Sequence, residues 1–359
     1  MITSFSTQGI FYSKKTFGAF DRIDGECRSS DGRPTAVELY VAMEPDLLHW
    51  KFEEEARALH EGRPSLRPLN CAKTFSELSP TDIVKAAGEI DANVRSSEKG
   101  REIVALATFL PEIVASDRRV NPSRQDAVRA LANIITLGRL LRKDFGHPVS
   151  TVEIVAGSRF ESLKGRASGN GERKYEVCLE TISTIQARLL QSLEQALQLA
   201  CSGGTQRDDC PAIALELEPG GYFAVRNIDS LTSLANALDQ TPAISDKVGF
   251  NLDISHWRIS GVTIQEIQSN PNVQYRIIHS HFSGHHRCAH FGDCVPAPAE
   301  WDNFTPWLTL LRDLMSPKEM AIRQHKRLPM FSGCVSVEME AARNVDSIVE
   351  IVRQLHSRL

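Results

Sequence analysis

The sequence has no long uninterrupted stretch of apolar residues. None approaches the roughly 18 residues that a helix needs to cross a bilayer, so we predict no membrane span. The first twenty residues, MITSFSTQGIFYSKKTFGAF, do not place a basic segment before a continuous apolar run, as a signal peptide would. We therefore expect a cytoplasmic protein.

An excess of charge of one sign is also missing. The 41 basic and 45 acidic residues leave a formal net charge of −4, which gives no general attraction to nucleic acid or to an anionic membrane. A nucleic-acid partner and a membrane partner are therefore not expected. The eight cysteines have no paired spacing, which is typical of reduced thiols and not of a disulfide framework.

Several common catalytic signatures are absent as well. The sequence contains no P-loop, no dinucleotide-binding fingerprint and no recognisable Ser-His-Asp arrangement. The Gly-rich fragment GNGE at residues 169–172 does not follow a strand and open a helix, as a phosphate-cradling loop must. The sequence therefore gives no support to nucleotide-dependent or serine-hydrolase chemistry.

Strand-like and helix-like segments alternate eight times along the chain. Strands are predicted at residues 2–7, 36–41, 69–74, 151–156, 212–218, 248–253, 275–282 and 334–340. The clearest helical patterns lie at residues 124–144, 179–200, 231–238, 301–314 and 345–355. Short buried strands alternating with helices indicate a parallel sheet, and eight such units predict an α/β protein with the closed (β/α)8 TIM-barrel fold.

Longer connections interrupt this alternation in the first half of the chain. We expect a single domain over residues 1–359 with insertions near 42–70, 87–103 and 157–175. The third insertion is rich in Gly and Ser and would lie at the mouth of the barrel. It is either a mobile lid over a polar substrate or a plain solvated loop, and the sequence leaves both open.

Four of the predicted strands carry a carboxylate or a histidine close to the carboxyl end. Their sequences are ALELEP, NLDISH, IIHSHF and VSVEME, and the candidate residues are Glu216, Asp253, His281 and Glu338. Because side chains alternate between the two faces of a strand, these four would point into the barrel and converge at its mouth. Acidic residues and histidines are costly to bury alone, so the pattern predicts one shared, charge-balanced site.

Three carboxylates and one imidazole form an oxygen-rich ligand set. Such a set favours Mn²⁺, Mg²⁺ or Co²⁺, while Zn²⁺ stays open. We therefore expect a divalent metal ion as cofactor. Other residues compete for these positions, each two places from a candidate on the same strand face: Glu218, Glu340 and His279. Asp253 could also be a turn-capping residue and nothing more.

The order E…D-x-x-H…H…E resembles the xylose-isomerase-like TIM-barrel superfamily. The segments that carry the resemblance are GFNLDISH, RIIHSH and CVSVEME, with VEL at residues 37–39 as a further typical piece. The strand pattern matches over most of the chain, but the resemblance is specific only from about residue 212 onward. This superfamily contains sugar isomerases, ketose epimerases, inosose dehydratases and metal-dependent apurinic-site endonucleases.

The resemblance implies a role for each matching residue. The metal ligands would be Glu216, Asp253, His281 and Glu338. In the epimerase branch the two Glu ligands also act as acid and base on opposite sides of the substrate. His256, the histidine of D-x-x-H, would contact the substrate or a second metal, and Arg287, six residues after His281, would hold substrate hydroxyls.

Together these roles imply a metal-dependent sugar isomerase or epimerase. Its substrate would be a small, polyhydroxylated, sugar-like carbonyl compound, and proton transfer would pass through a metal-stabilised enediolate. The segments LNCAKTF and VEIVAGS lack the histidines that the endonuclease branch carries on its third and fourth strands. At least one endonuclease metal position is therefore missing.

Two other functions stay open. One is a metal-dependent hydrolase or lyase of the same superfamily, including phosphodiester cleavage, which needs a second ion. The segment HHRCAHFGD offers additional ligands for it, namely His285, His286, Cys288 and His290. The other is a barrel without turnover that acts as a binding partner. A homo-oligomer is also left open.

Overall fold

The computed structural model describes residues 1–6, 35–41, 71–95, 100–116, 122–157, 160–161, 176–177, 180–202, 206–220, 223–285, 293–338 and 345–359. Within these ranges eight parallel strands close into a barrel. The predicted (β/α)8 TIM-barrel fold is therefore confirmed. None of the helices described is long and apolar enough to cross a membrane.

The strands follow one another around the barrel in chain order. They are β1 (Ile2–Ser6), β2 (Thr35–Tyr40), β3 (Arg101–Phe109), β4 (Thr151–Val155), β5 (Ala212–Glu216), β6 (Val248–Asp253), β7 (Ile277–Phe282) and β8 (Cys334–Val337). Strand β8 pairs with β1 and closes the ring. Because all pairs are parallel, the carboxyl ends of all eight strands meet at one mouth.

Helices follow the strands and surround the barrel. They are α1 (Cys71–Ser76), α2 (Pro80–Arg95), α3 (Arg124–Lys143), α4 (Ile182–Ala200), α5 (Ile228–Asp239), α6 (Ile254–Ile259), α7 (Ile264–Gln268), α8 (Pro271–Gln274), α9 (Trp301–Leu314), α10 (Pro317–Lys326) and α11 (Val345–Arg358). Two short antiparallel pairs lie outside the barrel, Phe160–Glu161 with Glu176–Val177 and Gly284–His285 with Asp293–Cys294.

The main hydrophobic core lies between the strands and the helices. Ile213 and Leu215 of β5 belong to it and are fully buried, as are Leu189 and Leu193 of α4. The alternate residues of β5 point into the barrel, where Ala214 is small and Glu216 stands at the tip. Apolar side chains therefore cover the outside of the strands and leave the inside free for polar groups.

The prediction of the third strand is wrong. Residues 69–74 were expected to form the third strand, but helix α1 begins at Cys71, and the third strand is Arg101–Phe109. The buried residues Cys71, Ala72 and Phe75 recur at helical spacing. In so short a segment this spacing is hard to distinguish from the alternation of a strand. The true strand is buried on both faces and reads as a nearly continuous apolar run without alternation.

The single-domain organisation stays a prediction. Residues 42–70 lie outside the described part of the chain, and so does most of the insertion expected near 157–175, including the candidate lid. The stretch 87–103 contains the second half of α2 and the start of β3. Part of this expected insertion therefore belongs to the barrel framework.

Candidate metal centre

Four strand ends place four ionisable side chains at the mouth of the barrel. Glu216 and Asp253 are the last residues of β5 and β6, His281 is the next to last of β7, and Glu338 follows β8 directly. One ligand atom from each lies within 4.8 Å of the others, and all four residues are buried. The structure thus brings together the four residues that the strand pattern singled out.

A glycine and a bulge set how β6 and β7 lie against each other. On β6 a Cβ at Gly249 would lie 2.4 Å from the backbone oxygen of Arg276, so no larger residue fits there. The register between β6 and β7 shifts after Phe250, which leaves Ile278 as the extra residue on β7. The shift turns His281 toward the inside of the barrel, opposite Asp253.

Asp253 has a second role at the start of helix α6. Its Oδ1 atom accepts a hydrogen bond of 2.7 Å from the backbone N–H of His256, which makes Asp253 the N-cap of the helix. The cap places the His256 ring beside the mouth, with Nδ1 3.1 Å from Oε1 of Glu216. The capping role and the site role of Asp253 are therefore compatible, because the cap uses only one of its two carboxylate oxygens.

The imidazoles and Glu216 stabilise each other's charged forms. Burial alone would raise the pKa of Glu216, but the adjacent imidazole of His256 and the charge of His281 lower it. Burial alone would likewise lower the pKa of His281, but the carboxylates of Glu338 and Glu38 raise it well above its usual range. The Nδ1 atom of His281 lies 2.6 Å from Oε2 of Glu338.

Two further carboxyl groups at the site have raised pKa values. Burial raises the pKa of Glu338 well above its ordinary value, and the charges of Glu216 and Asp253 add to this despite the opposing effect of His281. Burial and the neighbouring Glu216 raise the pKa of Glu153 in the same direction. The site therefore contains more buried carboxyl groups than its imidazoles can balance as anions.

This excess of donors fits a divalent cation. The Oε1 atom of Glu216 and the Nδ1 atom of His281 are buried, yet neither makes a well-aligned hydrogen bond within the described residues. A buried oxygen or nitrogen without such a partner is destabilising unless another group binds it. The donor set of three carboxylates and one imidazole supplies the ligand types expected for Mn²⁺, Mg²⁺, Co²⁺ or Zn²⁺.

The competing residues on the same strand faces occupy other positions. His279 lies within the barrel, with Nε2 2.5 Å from Oε2 of Glu38 and Nδ1 3.2 Å from Oγ of Ser332. Glu218 belongs to a second group of ligand atoms with Glu216 and His256, and its Oε2 is 3.9 Å from Nδ1 of His256. Residue 340, the last competitor, lies outside the described residues.

The sequence analysis assigned no role to two buried carboxylates near this centre, one of which lies in the VEL segment at residues 37–39. Glu38 on β2 and Glu153 on β4 are almost completely buried, and both interact with residues of the candidate site. Each stands alone between apolar residues, in V-E-L and V-E-I. This is the same pattern as L-E-L around Glu216, so an isolated Glu inside a buried strand was the available signal.

Most of the remaining candidates lie in one segment outside the described residues. Residues 286–292, which contain Arg287, His286, Cys288 and His290, lie outside the described part of the chain. His285 forms the end of the short strand Gly284–His285, opposite Asp293. The predicted substrate contact of Arg287 therefore stays a prediction.

Solved structures with the same architecture are found over the whole chain. A D-tagatose 3-epimerase-like protein has a TM-score of 0.56 and 14% identity, and the match covers 99% of this chain and 98% of that one. A protein of Anabaena variabilis that is named a putative sugar phosphate isomerase/epimerase has a TM-score of 0.51 and 12% identity. The match covers 98% of this chain and 87% of that one. A xylose isomerase domain protein of Alicyclobacillus acidocaldarius has a TM-score of 0.50 and 15% identity over 99% and 97% of the two chains.

The chain has the (β/α)8 TIM-barrel fold of these three structures. No protein-family model matches the sequence, and no curated protein matches it significantly. Identities this low show a shared fold and leave function to be argued from the site. In TIM-barrel enzymes the carboxyl ends of the strands form the active-site face, and the four clustered side chains lie at this face of the barrel.

Proposed function

We propose that this protein is a metal-dependent enzyme that isomerises or epimerises a small, polyhydroxylated, sugar-like carbonyl compound by proton transfer. The observation that carries the proposal is the convergence of Glu216, Asp253, His281 and Glu338 at the barrel mouth. Support comes from two structural neighbours, which are named as a tagatose 3-epimerase-like protein and as a sugar phosphate isomerase/epimerase.

The four converging residues would hold the cation. When bound there, a divalent ion would polarise the substrate oxygens and fix their position. Asp253 would use the carboxylate oxygen that the helix cap leaves free. His256 lies at the edge of this group and is partly exposed, so it is placed to contact the substrate, and Arg287 is expected to hold substrate hydroxyls.

The two glutamates divide the proton transfer between them. The lowered pKa of Glu216 makes it the carboxylate that removes a proton next to the carbonyl carbon. The surroundings of Glu338 raise its pKa in the protein without metal, so we assign to Glu338 the return of the proton, from the carboxylate oxygen that does not bind the cation. Pairs of carboxyl groups whose surroundings separate their pKa values in this way are typical of acid–base catalysis.

The proposal is tested by metal analysis and isotope exchange. The purified protein is loaded in turn with Mn²⁺, Co²⁺, Mg²⁺ and Zn²⁺, its metal content is measured, and ketoses and inososes are offered in D₂O. We expect one ion per chain and deuterium at the product carbon next to the carbonyl. A Glu338→Gln variant should lose activity about 10²- to 10⁴-fold, as removal of a general acid–base group does.

The matched control is Glu350→Gln on the outer helix α11, where the carboxylate pairs with Arg353 at the surface. This variant should keep full activity. Activity of Glu338→Gln within a few-fold of the wild type would refute the acid–base role. A protein that binds none of the four ions, even in excess, would instead be a barrel without metal chemistry, consistent with a binding partner.

A metal-dependent hydrolase or lyase is the second candidate. A second group of ligand atoms favours it, since Glu216, Glu218 and His256 also lie within 4.8 Å of one another and share Glu216 with the first group. Anomalous scattering from crystals grown with Mn²⁺ or Zn²⁺ distinguishes the two functions. Two ions per chain, together with phosphodiester cleavage and no deuterium uptake, would favour the hydrolase.

A further inference from the structure

Glu38 lies inside the barrel, next to the candidate metal centre, and touches two histidines. It is on β2 and is completely buried. Its Oε1 atom is 2.9 Å from Nε2 of His281, and its Oε2 atom is 2.5 Å from Nε2 of His279. One carboxylate therefore faces both histidines of strand β7.

The position of Glu38 is fixed by neighbouring hydroxyl groups. Ser336 donates a hydrogen bond of 2.9 Å from its Oγ to Oε2 of Glu38, and its Oγ is also 2.6 Å from Oγ of Ser4. The Oε2 atom is thus used by His279 and Ser336. The Oε1 atom is left for His281, and neither Oε1 nor the Nε2 atom of His281 has another hydrogen-bond partner among the described residues.

The two nitrogens of His281 face different surroundings. Nε2 lies against Glu38, while Nδ1 lies 2.6 Å from Oε2 of Glu338, on the side of the proposed cation. A ring nitrogen binds a metal only after it has lost its proton, and the proton then remains on the other nitrogen. A carboxylate can only accept a hydrogen bond, so it favours the proton on the nitrogen that faces it.

We propose that Glu38 is a positioning residue that holds His281 as the Nε2–H tautomer and so directs its Nδ1 lone pair toward a divalent cation. The proposal rests on the metal-dependent function proposed above. The 2.9 Å contact between Oε1 of Glu38 and Nε2 of His281 is within hydrogen-bonding distance, although the two groups are not aligned as a straight hydrogen bond. Glu38 acts here through His281 and does not itself touch the cation.

A second cation between Glu38, His279 and His281 is the rival interpretation, since these three also offer clustered ligand atoms. The geometry disfavours it for two reasons. Both Oε2 of Glu38 and Nε2 of His279 are already engaged with each other at 2.5 Å. Glu38 alone would also neutralise only half of the charge of a divalent cation, and an uncompensated charge among fully buried groups is strongly unfavourable.

The first test measures metal affinity in Glu38→Gln. A glutamine has nearly the same shape, but its carbonyl can accept from only one histidine and its amide would press a donor against the other. We expect Mn²⁺ to bind about 10- to 100-fold more weakly, as measured by titration calorimetry, because outer-shell partners of metal-binding histidines have effects of this size. Circular dichroism and thermal unfolding without metal show whether the variant is folded.

The matched control is Ser4→Ala, which disturbs the same buried network without touching Glu38 or His281. It should bind Mn²⁺ within about threefold of the wild type, well inside the effect expected of Glu38→Gln. Wild-type affinity in a folded Glu38→Gln variant would overturn the proposal. An equal loss in both variants would also overturn it, since the effect would then come from general disturbance of the barrel interior.

The second test reads the tautomer directly. In ¹H–¹⁵N spectra of the Zn²⁺-loaded wild type, His281 should show a proton on Nε2, with the signal assigned by its absence in His281→Gln. A proton on Nδ1 would overturn the proposal even if Glu38→Gln does not fold. If the wild type binds no metal, the proposed function fails. A spectrum of the metal-free protein, recorded above the raised pKa of His281 where the ring is neutral, still decides which nitrogen Glu38 favours.

Discussion

At the scale of single residues, the candidate site depends on how protons are shared among buried carboxyls and imidazoles. His281 lies between Glu38 and Glu338, and its pKa is raised by both. The pKa of Glu338 is raised by burial and by its acidic neighbours. Both shifts favour the protonated side chains in the protein without metal, although a bound cation would need the His281 nitrogen and the Glu338 oxygen unprotonated.

This competition predicts proton release on metal binding. The affinity for Mn²⁺ should increase as pH rises above 6.5, the ordinary pKa of histidine, through the raised pKa of His281. Titration calorimetry in buffers of different ionisation enthalpy measures both the affinity and the number of protons released. A constant affinity over this range, with no buffer dependence of the heat, would show that His281 and Glu338 do not bind the ion.

The residues of the site were predictable to different degrees. Glu216, Asp253, His281 and Glu338 stand at strand tips, where alternation alone indicates a common direction. Glu38 and Glu153 lie within their strands, where an isolated Glu between apolar residues indicates an inward position but does not say which groups it meets there. Their partners come from other strands around the barrel, so only the closed structure reveals the contacts.

At the scale of elements, Asp253 links a helix cap to the candidate metal centre, and the two roles can be separated by substitution. Asparagine caps helices as well as aspartate does, so Asp253→Asn should change the free energy of unfolding by no more than about 0.5 kcal/mol in the absence of metal. Asp253→Ala should lose the cap as well, at a cost of about 1 kcal/mol.

Both variants should bind Mn²⁺ more weakly than the wild type, because each removes a charged ligand. Urea denaturation without metal measures the capping role, and calorimetry measures the metal role. If Asp253→Asn retained wild-type affinity, Asp253 would be a helix cap and nothing more. If Asp253→Asn were as unstable as Asp253→Ala, removal of the 2.7 Å capping hydrogen bond would not explain the lower stability of the alanine variant.

Strand β6 depends on the absence of a side chain at Gly249. A Cβ there would lie 2.4 Å from the backbone oxygen of Arg276, whose side chain is held by the carbonyl oxygens of Ser245 and Val248. Gly249→Ala should therefore destabilise the protein by about 1–3 kcal/mol, since backbone must move. The displacement would also shift β7, so Mn²⁺ affinity should fall with stability.

The matched control is Gly88→Ala in helix α2, where the new Cβ meets only Phe145 at 3.8 Å. Because alanine is a better helix former than glycine, this variant should gain about 0.5–1 kcal/mol. Chemical denaturation of both variants gives opposite signs if the packing argument is right. A neutral Gly249→Ala would mean that β6 and β7 separate without cost.

The order of strands and helices could be predicted except where burial hides periodicity. Seven of the eight strands begin within two residues of the predicted positions. Strand β3 was missed because its segment REIVALATF is almost wholly buried and shows no alternation, and its pairing with β2 contains a register shift. Helix α1 was mistaken for that strand because six residues are too few to distinguish the two periods.

At the scale of the whole molecule, the candidate ligands join distant parts of the chain. They come from β5 to β8, which form half of the closed barrel, and Glu216 and Glu338 are more than a hundred residues apart in sequence. No part of the barrel can open at these strands without separating the ligands. A cation bound by them would therefore stabilise the fold as a unit and not one loop or helix.

This predicts that metal protects the protein against global unfolding. At a free Mn²⁺ concentration about 100 times the dissociation constant, the stability should rise by about 2.7 kcal/mol, and the unfolding midpoint should rise with it. Glu338→Gln should show a much smaller shift at the same concentration. Differential scanning calorimetry with and without a chelator measures both.

The size of this effect should also depend on pH, in a direction that the pKa shifts determine. Groups whose pKa is raised on folding, as for His281 and Glu338, stabilise the folded state below their unfolded pKa and lose that stabilisation as pH rises through the raised value. The protein without metal should therefore become less stable above pH 6.5, the ordinary pKa of histidine, while the metal-loaded protein keeps its stability. The gap between the two midpoints should widen as pH rises, and a gap that narrows would place the ion away from these residues.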